Sequence, residues 1–385
     1  MPPSWPVRFA VMRFGMLRET LPGERRVPLT PEGARALVSS DHGVVVEAET
    51  GVGSGFSDTE YLAAGAQVVF NAREVSASSD VLLKIHPPNE AELALLRKGQ
   101  GLVSFLHLAT QPARFHQALA RTGVTTISLE LVREGLDEYP ILEPLSAIGG
   151  RVAVALAAWH LTGPGNGPGI LMGGSPGVPP ALVLVIGAGA AGSAAAAEAS
   201  ALGAQVVVLD RDPRRLQRMA HSLGRVCVTA VASEYHLVRY LEQADVVIGA
   251  VAVRGEPAPK VLKRHHVRAM REGCLFIDMS IDEGGCAETS RPTTTEEPVY
   301  EAEGIRHICI PNLPSEVART ASRAMGASLL PYLTALGRGI EPALATNPAL
   351  RHAVGFLDGK LVNRGLRRYV AENYVDLDTL VPASE

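Results

Sequence analysis

The sequence predicts an α/β fold with two Rossmann-like domains, each built on a parallel sheet. Short apolar runs typical of strands alternate with helical segments across residues 14–129 and again across residues 182–310, an alternation that favours parallel α/β units. Only the second series has a glycine-rich turn between its first strand and its first helix. The 385 residues are 46% hydrophobic, which is enough to fill two cores. We therefore expect the second domain to be a doubly wound parallel sheet.

The first domain is predicted to contain six strands and three helices. The strands are expected at residues 14–17, 44–46, 67–69, 81–85, 101–106 and 125–129, and the helices at residues 30–39, 90–98 and 113–121. Thr30 is expected to cap the first helix, because its hydroxyl can accept a backbone N–H and Pro31 suits the first helical position. This part of the chain has no glycine fingerprint, so it is not expected to be the cofactor domain.

A change of domain is predicted near residue 140. A helix is expected over residues 148–161, followed by a glycine- and proline-rich loop at residues 163–169. Further strands are expected at residues 182–186, 205–209, 226–229, 246–250, 275–278 and 307–310. Residues 317–385 are too few for a third domain and are expected to return to the first. The predicted domains are residues 1–140 with 319–385 (substrate domain) and residues 141–318 (cofactor domain).

The segment from residue 183 to residue 192 indicates a dinucleotide-binding turn. Gly187 permits a tight turn after the strand, Gly189 lets backbone amides approach a pyrophosphate, and Gly192 lets the next helix pack closely on its strand. Ala190 and Ala191 complete the turn, and the helix N-terminus supplies an anion site. A glycine motif alone is weak evidence, and the alternative is a turn without a ligand. Its place between a predicted strand and a predicted helix favours the dinucleotide.

Asp210, 18 residues after Gly192, favours NAD as the cofactor. It follows the second strand of this domain, where an acidic side chain can accept both ribose hydroxyls of the adenosine half. Arg211, Arg214 and Arg215 follow closely and keep open a site for the 2′-phosphate of NADP. We expect NAD, with NADP as the alternative and Arg211 as a cofactor neighbour.

The charge of the chain argues against partners that are polyanions. Lys and Arg total 36 and Asp and Glu total 40, for a net charge of −4 at pH 7, so we expect no nucleic acid and no membrane surface as a partner. Glycine and proline interrupt the uncharged stretch at residues 152–197, leaving no apolar run of the roughly 18–20 residues that a membrane span requires. The N-terminus has no uninterrupted apolar region with a cleavage site, so we expect a cytoplasmic location.

Neither the cysteines nor the histidines form a metal-binding pattern. The four cysteines are far apart and form no CxxC pair, so we expect reduced thiols. His265 and His266 lie beside Lys263, Arg264 and Arg268 and are expected on a solvated helix face without the spacing of a metal site. We predict no metal.

Six further segments resemble the alanine dehydrogenase family and the related N-terminal part of the nicotinamide nucleotide transhydrogenase α subunit. They are residues 24–31 (ERRVPLTP), 106–109 (LHLA), 171–178 (LMGGSPGV), 281–286 (IDEGGC), 290–294 (SRPTT) and 312–320 (NLPSEVART). The resemblance implies two α/β domains with the active-site cleft between them. It also implies a reversible, NAD-linked conversion of an L-amino acid into a 2-oxo acid and ammonia, and a homo-oligomer, either a hexamer or a dimer.

The resemblance assigns catalytic roles to single residues. Arg26 falls at the arginine that grips the substrate carboxylate, for which a planar guanidinium is suited. His107 falls at the catalytic histidine, a residue type suited to proton transfer, and Asp282 at an aspartate that can bind the amine and stabilise an iminium. Each also has a structural interpretation: Arg26 as a surface residue, His107 as a satisfied strand-end histidine, Asp282 as a turn cap.

Further contacts to the cofactor are expected in the second domain. They are assigned to Ser146, Val251, Ile281, Asp282 and Leu313. Asn312 is expected next to the nicotinamide and the substrate. Together with the glycine turn and Asp210, these residues form the predicted NAD site.

The chain departs from the family pattern around the expected cleft. Alanine dehydrogenases usually carry two lysines separated by one residue, and here Lys84 matches the first whereas His86 replaces the second. The second lysine would supply a permanently charged ammonium that polarises the 2-oxo group, and a protonated His86 can substitute for it. We expect Lys84 and His86 to contact the substrate. Ala147, Glu283 and Pro28 replace the usual glutamate, glutamine and alanine. These changes favour a different or larger substrate.

The leading hypothesis is an NAD-dependent L-amino-acid dehydrogenase with alanine and pyruvate as the default pair, in which His107, assisted by His86 or Lys84, moves protons. An alternative is an opine- or saccharopine-type dehydrogenase, which reduces an imine formed with an amino acid. A third, from another class, is a transhydrogenase-like NAD(H)-binding module. The requirement for ammonium or for an amino acid separates the two enzymes, and NADH binding without turnover would favour the module.

Overall fold

Two parallel sheets organise the chain, one in each of two units. The computed structural model describes residues 12–135, 138–224, 227–253 and 256–383. Unit 1 contains the described residues up to Leu142 and those from Ala318 onward, and unit 2 runs from Glu143 to Val317. The N-terminal segment, from which we predicted a cytoplasmic location, lies outside the described residues. So does Val226, the predicted start of a strand.

The sheet of unit 1 has six strands, all parallel. They are β1 (Arg13–Met16), β2 (Gly43–Glu47), β3 (Gln67–Val69), β4 (Val81–Leu83), β5 (Gly101–Ser104) and β6 (Thr125–Ser128). Their order is β3-β2-β1-β4-β5-β6, which is the strand order of a Rossmann fold. Phe14 on β1 faces Val44 on one side and Val81 on the other. The six predicted strands of this region are confirmed.

Helices connect these strands. They are α1 (Pro31–Ser39), α2 (Asp58–Ala63), α3 (Ala72–Ser78), α4 (Glu90–Leu93) and α5 (Ala113–Thr122). The predicted cap of α1 is confirmed, because Thr30 Oγ1 accepts the Gly33 N–H at 3.3 Å. The cap starts the helix directly after the loop that contains Arg26.

Helix α4 is shorter than the predicted helix at residues 90–98. It ends at Leu93, and the following residues form turns. The Gln100 amide donates hydrogen bonds to the carbonyl oxygens of Ser76 at 3.0 Å and Ser79 at 2.8 Å. These bonds hold the turn that contains Gln100 against the end of α3.

The sheet of unit 2 has seven strands. They are β7 (Leu182–Ile186), β8 (Gln205–Asp210), β9 (Cys227–Val231), β10 (Val246–Gly249), β11 (Leu275–Asp278), β12 (Val299–Ala302) and β13 (Ile305–Ile308). Their order is β12-β13-β11-β10-β7-β8-β9, and every neighbouring pair is parallel except β12 with β13. The predicted doubly wound sheet is confirmed, with an additional antiparallel strand at one edge.

The hairpin of β12 and β13 corrects the sequence-based prediction of a single strand at residues 307–310. Glu303 and Gly304 form a two-residue connection with φ values of 52° and 77°, the positive values that a type I′ hairpin turn requires. Ile305 pairs with Ala302 directly after this turn. The strand therefore begins at Ile305, earlier than its apolar pattern indicates.

One helix of unit 2 precedes these strands and the others connect them. They are α6 (Leu142–His160), α7 (Ala190–Ala201), α8 (Pro213–Leu223), α9 (Glu234–Leu241) and α10 (Arg264–Arg268). Helix α6 begins earlier than predicted and packs tightly on α7. A Cβ added at Gly150 would lie 2.2 Å from the Ala191 carbonyl oxygen, so only glycine allows this approach.

The C-terminal segment is part of unit 1. It forms α11 (Ala318–Leu336), α12 (Ile340–Thr346), α13 (Pro348–Ala353), β14 (Phe356–Leu357), β15 (Lys360–Leu361) and α14 (Leu377–Leu380). Thr126 on β6 accepts the Gly355 N–H through its carbonyl oxygen at 3.0 Å and the Phe356 N–H through Oγ1 at 2.9 Å. Phe356 is fully buried, so the segment completes the core of this unit.

The longest helices, α6 and α11, have 19 residues each. Both carry arginine, at Arg151 in α6 and at Arg319 and Arg323 in α11. Across the described ranges, no helix has the combined length and apolar character that crossing a membrane demands.

The four cysteines are unpaired. Cys274, Cys286 and Cys309 are buried and Cys227 is half-buried, which confirms the prediction of free thiols. Burial raises the pKa of the Cys274 thiol to about 12 and that of Cys309 to about 11. These thiols stay protonated at neutral pH and are packing groups.

Candidate active site

Arg26 lies in the loop between β1 and α1, where it pairs with a buried carboxylate. Glu24 Oε1 accepts the Nε–H and Oε2 accepts an Nη2–H of Arg26, both at 2.9 Å. The Arg26 side chain is 5% exposed and that of Glu24 is 0% exposed. Ser322 on α11 accepts the Val27 N–H at 2.9 Å and anchors the loop. Sequence reasoning found Arg26 and missed Glu24, although the two are only two positions apart.

The same carboxylate contacts His86, the residue at the position of the second family lysine. His86 follows β4, and its Nε2 lies 2.7 Å from Glu24 Oε2. Burial acts to raise the pKa of Glu24, but the charge of Arg26 and the hydrogen bond from His86 outweigh it and hold that pKa well below the ordinary value of 4.5. Glu24 is therefore an anion shared by a guanidinium and an imidazole.

Lys84 is an internal counter-ion. Its side chain is 1% exposed, and Nζ lies 2.8 Å from Glu92 Oε1 and 3.5 Å from Glu19 Oε2. The Glu19 carboxylate also accepts the backbone N–H of Ile85 at 2.6 Å and of His86 at 3.3 Å. Burial raises the pKa of Glu19, and the charge of Lys84 opposes the rise. The Lys84 ammonium thus pairs with two carboxylates, one of which, Glu19, binds the backbone of the segment that carries His86.

His107 follows β5 in a strained backbone conformation. Its φ is 46°, in the left-handed region that a non-glycine residue occupies at a cost of about 1–3 kcal/mol. Its backbone N–H donates to Glu130 Oε1 at 2.8 Å, and its ring stacks on Phe105 with centroids 6.3 Å apart. These contacts hold the ring beyond the end of the strand.

Glu130 is a second carboxylate that sequence reasoning missed. It is 6% exposed, and its Oε2 is buried without a hydrogen-bond partner in the part of the chain that the structure describes. Burial raises the pKa of Glu130, and the nearby His107 lowers it. Its acidic side chain within the apolar run after β6 is the sequence feature that could have identified it.

The predicted residues of unit 1 share one edge of its sheet. Arg26 follows β1, Lys84 and His86 follow β4, and His107 follows β5. These strands are neighbours in the order β1-β4-β5. In a parallel sheet the carboxyl ends of neighbouring strands meet at the same edge, which is where such folds bind ligands.

In unit 2 the glycine turn has the close contacts that its motif predicts. Gly187 has φ 111°, and an added Cβ would lie 2.2 Å from the Ala250 carbonyl oxygen. At Gly192 an added Cβ would lie 1.9 Å from the Gly187 carbonyl oxygen. Gly189, the N-cap of α7, has no atom within 4 Å of such a position. Gly187 and Gly192 are required by packing, whereas Gly189 leaves open space in front of the helix N-terminus.

Asp210 ends β8 beside this turn. Its Oδ2 accepts the Ala188 N–H at 2.6 Å and its Oδ1 accepts the Asp212 N–H at 2.8 Å. The residue is 8% exposed, and each carboxylate oxygen keeps a second lone pair for a hydroxyl donor. Arg211 is exposed. The acid and the glycine loop are thus one hydrogen-bonded assembly.

The other predicted cofactor residues of unit 2 follow neighbouring strands. In chain order they are Val251 after β10, Ile281 and Asp282 after β11, and Asn312 and Leu313 after β13. Both Asp282 oxygens accept the Asn312 N–H, at 3.0 and 3.2 Å, and Asn312 has φ 59°. Ser146 lies on α6 one turn before Gly150, which contacts the start of α7. These residues therefore surround the carboxyl edge at which Gly187 and Asp210 lie.

One group of side chains has the composition of a metal site. Within the described ranges, ligand atoms of Glu234, His265 and His266 lie within 4.8 Å of one another. His266 Nδ1 accepts the Lys263 N–H at 3.1 Å, and Nε2 lies 2.8 Å from Glu234 Oε1. Because Nδ1 is an acceptor, Nε2 carries the proton and donates to Glu234. A metal-bound histidine instead donates from its other nitrogen, so we interpret this group as a hydrogen-bonded cluster.

The chain is similar to alanine dehydrogenases over nearly its whole length. Models for the N- and C-terminal domains of alanine dehydrogenase/PNT match residues 15–149 and 153–364. Alanine dehydrogenase from Halomonas elongata is 38% identical over 371 residues, covering 96% of this chain and 100% of that protein. The enzyme from Mycobacterium tuberculosis is 41% identical over 354 residues, covering 91% and 95%. A solved L-alanine dehydrogenase is 36% identical with a TM-score of 0.87, covering 93% and 99%.

Glu130→Gln is expected to gain stability relative to the wild type as the pH rises. The folded state raises the pKa of Glu130, so it binds this proton more tightly than the unfolded state does, and the contribution of Glu130 to stability falls as the pH rises above the ordinary value of 4.5. Glu130→Gln keeps the acceptor for the His107 N–H and removes this loss. The urea midpoints of the wild type and of Glu130→Gln, compared from about pH 5 to about pH 8, measure this difference in stability. Glu90→Gln, at an exposed carboxylate, is the control, and a pH-independent difference for Glu130→Gln would contradict the expectation.

Proposed function

The chain belongs to the alanine dehydrogenase/PNT family, and we propose from this membership that it catalyses the reversible, NAD-dependent conversion of L-alanine into pyruvate and ammonia. The full-length similarity to proteins named alanine dehydrogenase carries the proposal. The retained Arg26, His107 and Asp282 support it, because carboxylate binding, proton transfer and iminium stabilisation each have a residue of the required type.

The glycine loop of unit 2 fits NAD. The N-terminus of α7 would bind the pyrophosphate, since the space in front of Gly189 is open and the backbone amides of Ala190 and Ala191 begin the helix. Asp210 would accept hydrogen bonds from the ribose hydroxyls, whereas a 2′-phosphate would face its buried charge. When bound, NAD supplies the acceptor and donor of hydride. The loop and Asp210 position it.

Arg26 would bind the substrate carboxylate. Its Nε–H and one Nη2–H are bonded to Glu24, so the guanidinium presents its Nη1 hydrogens and the second Nη2 hydrogen to a ligand. Glu24 fixes the plane of the guanidinium before substrate arrives, which lowers the entropic cost of binding. Lys84 supports the adjacent backbone through Glu19 and Glu92.

His107 and Asp282 would act on the amine and the carbonyl. As alanine is oxidised, the Cα–H bond breaks with its electron pair and the amine becomes an iminium, whose charge Asp282 stabilises. His107 takes a proton from the water that attacks the iminium carbon and returns it to the nitrogen. The C–N bond then breaks as the hydroxyl becomes a carbonyl, and its proton leaves with nitrogen as ammonium.

Replacement of the family lysine by His86 favours one alternative, an opine-type reduction in which an amino acid supplies the amine. A histidine is shorter than a lysine and leaves more room beside Arg26. In this reaction the imine joins the oxo acid to a second amino acid. The cofactor site and the roles of Arg26 and His107 would be the same.

We also propose that the protein works in the cytoplasm as a homo-oligomer. Free, buried cysteines support a reducing compartment. Exposed apolar side chains on unit 2, at Trp159 (57%), Leu171 (67%) and Val178 (61%), support an interface between copies.

The amine donor separates the two functions. With purified protein, NADH and pyruvate, loss of NADH absorbance is expected with ammonium and not with L-amino acids as donors, since the proposed reaction uses free ammonia. A reaction that requires an amino acid and proceeds without ammonium would contradict the proposal and establish the opine-type alternative. A panel of larger 2-oxo acids in the same assay measures the effect of His86 on substrate size.

Arg26→Ala is expected to abolish most turnover without loss of NADH binding. Removing one partner of a buried, hydrogen-bonded charge pair costs about 2–5 kcal/mol, so kcat/KM for pyruvate should fall by at least about thirtyfold. Arg25→Ala is the matched control, because Arg25 is the exposed neighbour in the same loop. NADH fluorescence titration verifies the cofactor site in both variants. Ordinary turnover by Arg26→Ala would exclude Arg26 as the carboxylate ligand.

A further inference from the structure

The turn after β11, residues 279–286, carries Asp282, and we term it the Asp282 turn. It contains Gly284 and Gly285, whose φ values of 95° and 81° lie in the left-handed region that favours glycine. A Cβ added at Gly285 would lie 2.9 Å from Asp278 Oδ2. The turn is therefore folded directly onto the last residue of β11.

Asp278 closes the Asp282 turn from the inside of unit 2. It is 1% exposed. Its Oδ1 accepts the Ser280 N–H at 2.9 Å, and its Oδ2 accepts the Cys286 N–H at 2.8 Å. Ser290 Oγ also donates to Oδ2, at 2.5 Å. One buried carboxylate thus binds the backbone near both ends of the turn.

Lys260 binds the same turn from the outside. Its Nζ donates to the carbonyl oxygens of Gly284 at 2.5 Å and Gly285 at 2.8 Å. Lys260 is exposed, and the segment to which it belongs runs along the turn, because the Glu283 carbonyl oxygen accepts the Ala258 N–H at 2.9 Å. A charged donor that contacts two consecutive carbonyl oxygens fixes the orientation of both peptide groups.

These contacts decide where the side chain of Asp282 lies. Asp282 is exposed, and it stands two residues after Ser280 and two residues before Gly284, between the peptide groups that the inner and the outer contacts bind. Its carboxylate accepts the Asn312 N–H at 3.0 and 3.2 Å, which links the turn to the segment after β13. A shift of the turn would therefore move this carboxylate relative to the carboxyl edge of the sheet.

We propose that Asp278 and Lys260 are positioning residues, which fix the Asp282 turn so that the Asp282 carboxylate is held where it binds the amine. This inference rests on the proposed function, in which Asp282 stabilises the iminium. A misplacement of about 1 Å at a reacting group can cost about a hundredfold in rate. Asp278 and Lys260 contact different peptide groups of the turn, so each can be changed while the other contact remains.

The first test compares Lys260→Met with Lys260→Arg in steady-state turnover of pyruvate and ammonium with saturating NADH. Lys260→Met removes the donor, and the KM for ammonium should rise by about tenfold, as expected for loss of a charge-assisted hydrogen bond. The KM for pyruvate, whose carboxylate Arg26 would bind, should stay unchanged. Lys260→Arg keeps a charged donor and should restore the wild-type KM for ammonium.

The control for this test is Lys360→Met, at an exposed lysine of the β14–β15 hairpin, which should leave both KM values unchanged. A merely structural role for Lys260 would lower the amount of folded enzyme and leave both KM values as they are. Unchanged KM values in Lys260→Met, or a rise for pyruvate equal to or larger than that for ammonium, would overturn the proposal.

A second measurement needs no substrate: hydrogen exchange of the full-length protein without ligands, followed by mass spectrometry. In Asp278→Asn an NH2 group replaces one oxygen and cannot accept, so it opposes either the Ser280 N–H or the Cys286 N–H. Peptides that cover residues 279–286 should exchange about tenfold faster in Asp278→Asn and in Lys260→Met. Peptides that cover β7 should be unchanged. Unchanged exchange of the turn in a folded Lys260→Met protein would overturn the proposal, even where Asp278→Asn fails to fold.

Together the two measurements separate this inference from the proposed function. Faster exchange of the Asp282 turn in the variants, together with no turnover of pyruvate and ammonium by the wild type, would refute the alanine assignment and retain the role of Asp278 and Lys260 in holding the turn. Turnover by the wild type with unchanged exchange in the variants would refute the inference and retain the assignment.

Discussion

A carboxylate without access to water must be paired, and the way Glu24 meets this requirement shapes the loop between β1 and α1 in unit 1. It accepts the backbone N–H groups of Arg25 and Arg26 at 3.0 and 2.8 Å, in addition to the guanidinium and the imidazole. One side chain thereby fixes a loop, the plane of Arg26 and the ring of His86. Breaking such a buried pair costs about 3–5 kcal/mol, a large part of the stability of an ordinary domain. The loop conformation and the chemistry of the site are therefore coupled.

The parallel sheets impose the second constraint. In each unit the residues proposed for function follow strands that are adjacent in the sheet, at its carboxyl edge. In unit 2, Gly187, Gly192 and Gly150 allow close backbone contacts that any side chain would block. Asp210 then accepts the N–H of Ala188, so the acid that we propose as the ribose ligand also holds the glycine loop in place.

Local patterns predicted what depends on local geometry. The strand positions, the Thr30 cap and the glycine turn follow from apolar periodicity and from single-residue backbone preferences, and the structure bears them out. The shorter α4 and the β12–β13 hairpin were missed because they depend on Gln100 reaching α3 and on positive φ at Glu303. Glu24 and Glu130 were missed for a related reason. Each has a partner distant in sequence, His86 for Glu24 and His107 for Glu130, and an acidic side chain in isolation is expected to be solvated.

In the proposed reaction, hydride passes from the nicotinamide directly to the α-carbon of an amino acid. NADH that carries deuterium at the transferable C4 position, incubated with the protein, pyruvate and ammonium, tests this by mass spectrometry of the product. We expect L-alanine with one deuterium at Cα. Deuterium in lactate, in a secondary amine, or in no organic product at all would contradict it, because each would place the hydride acceptor elsewhere than in the iminium of alanine.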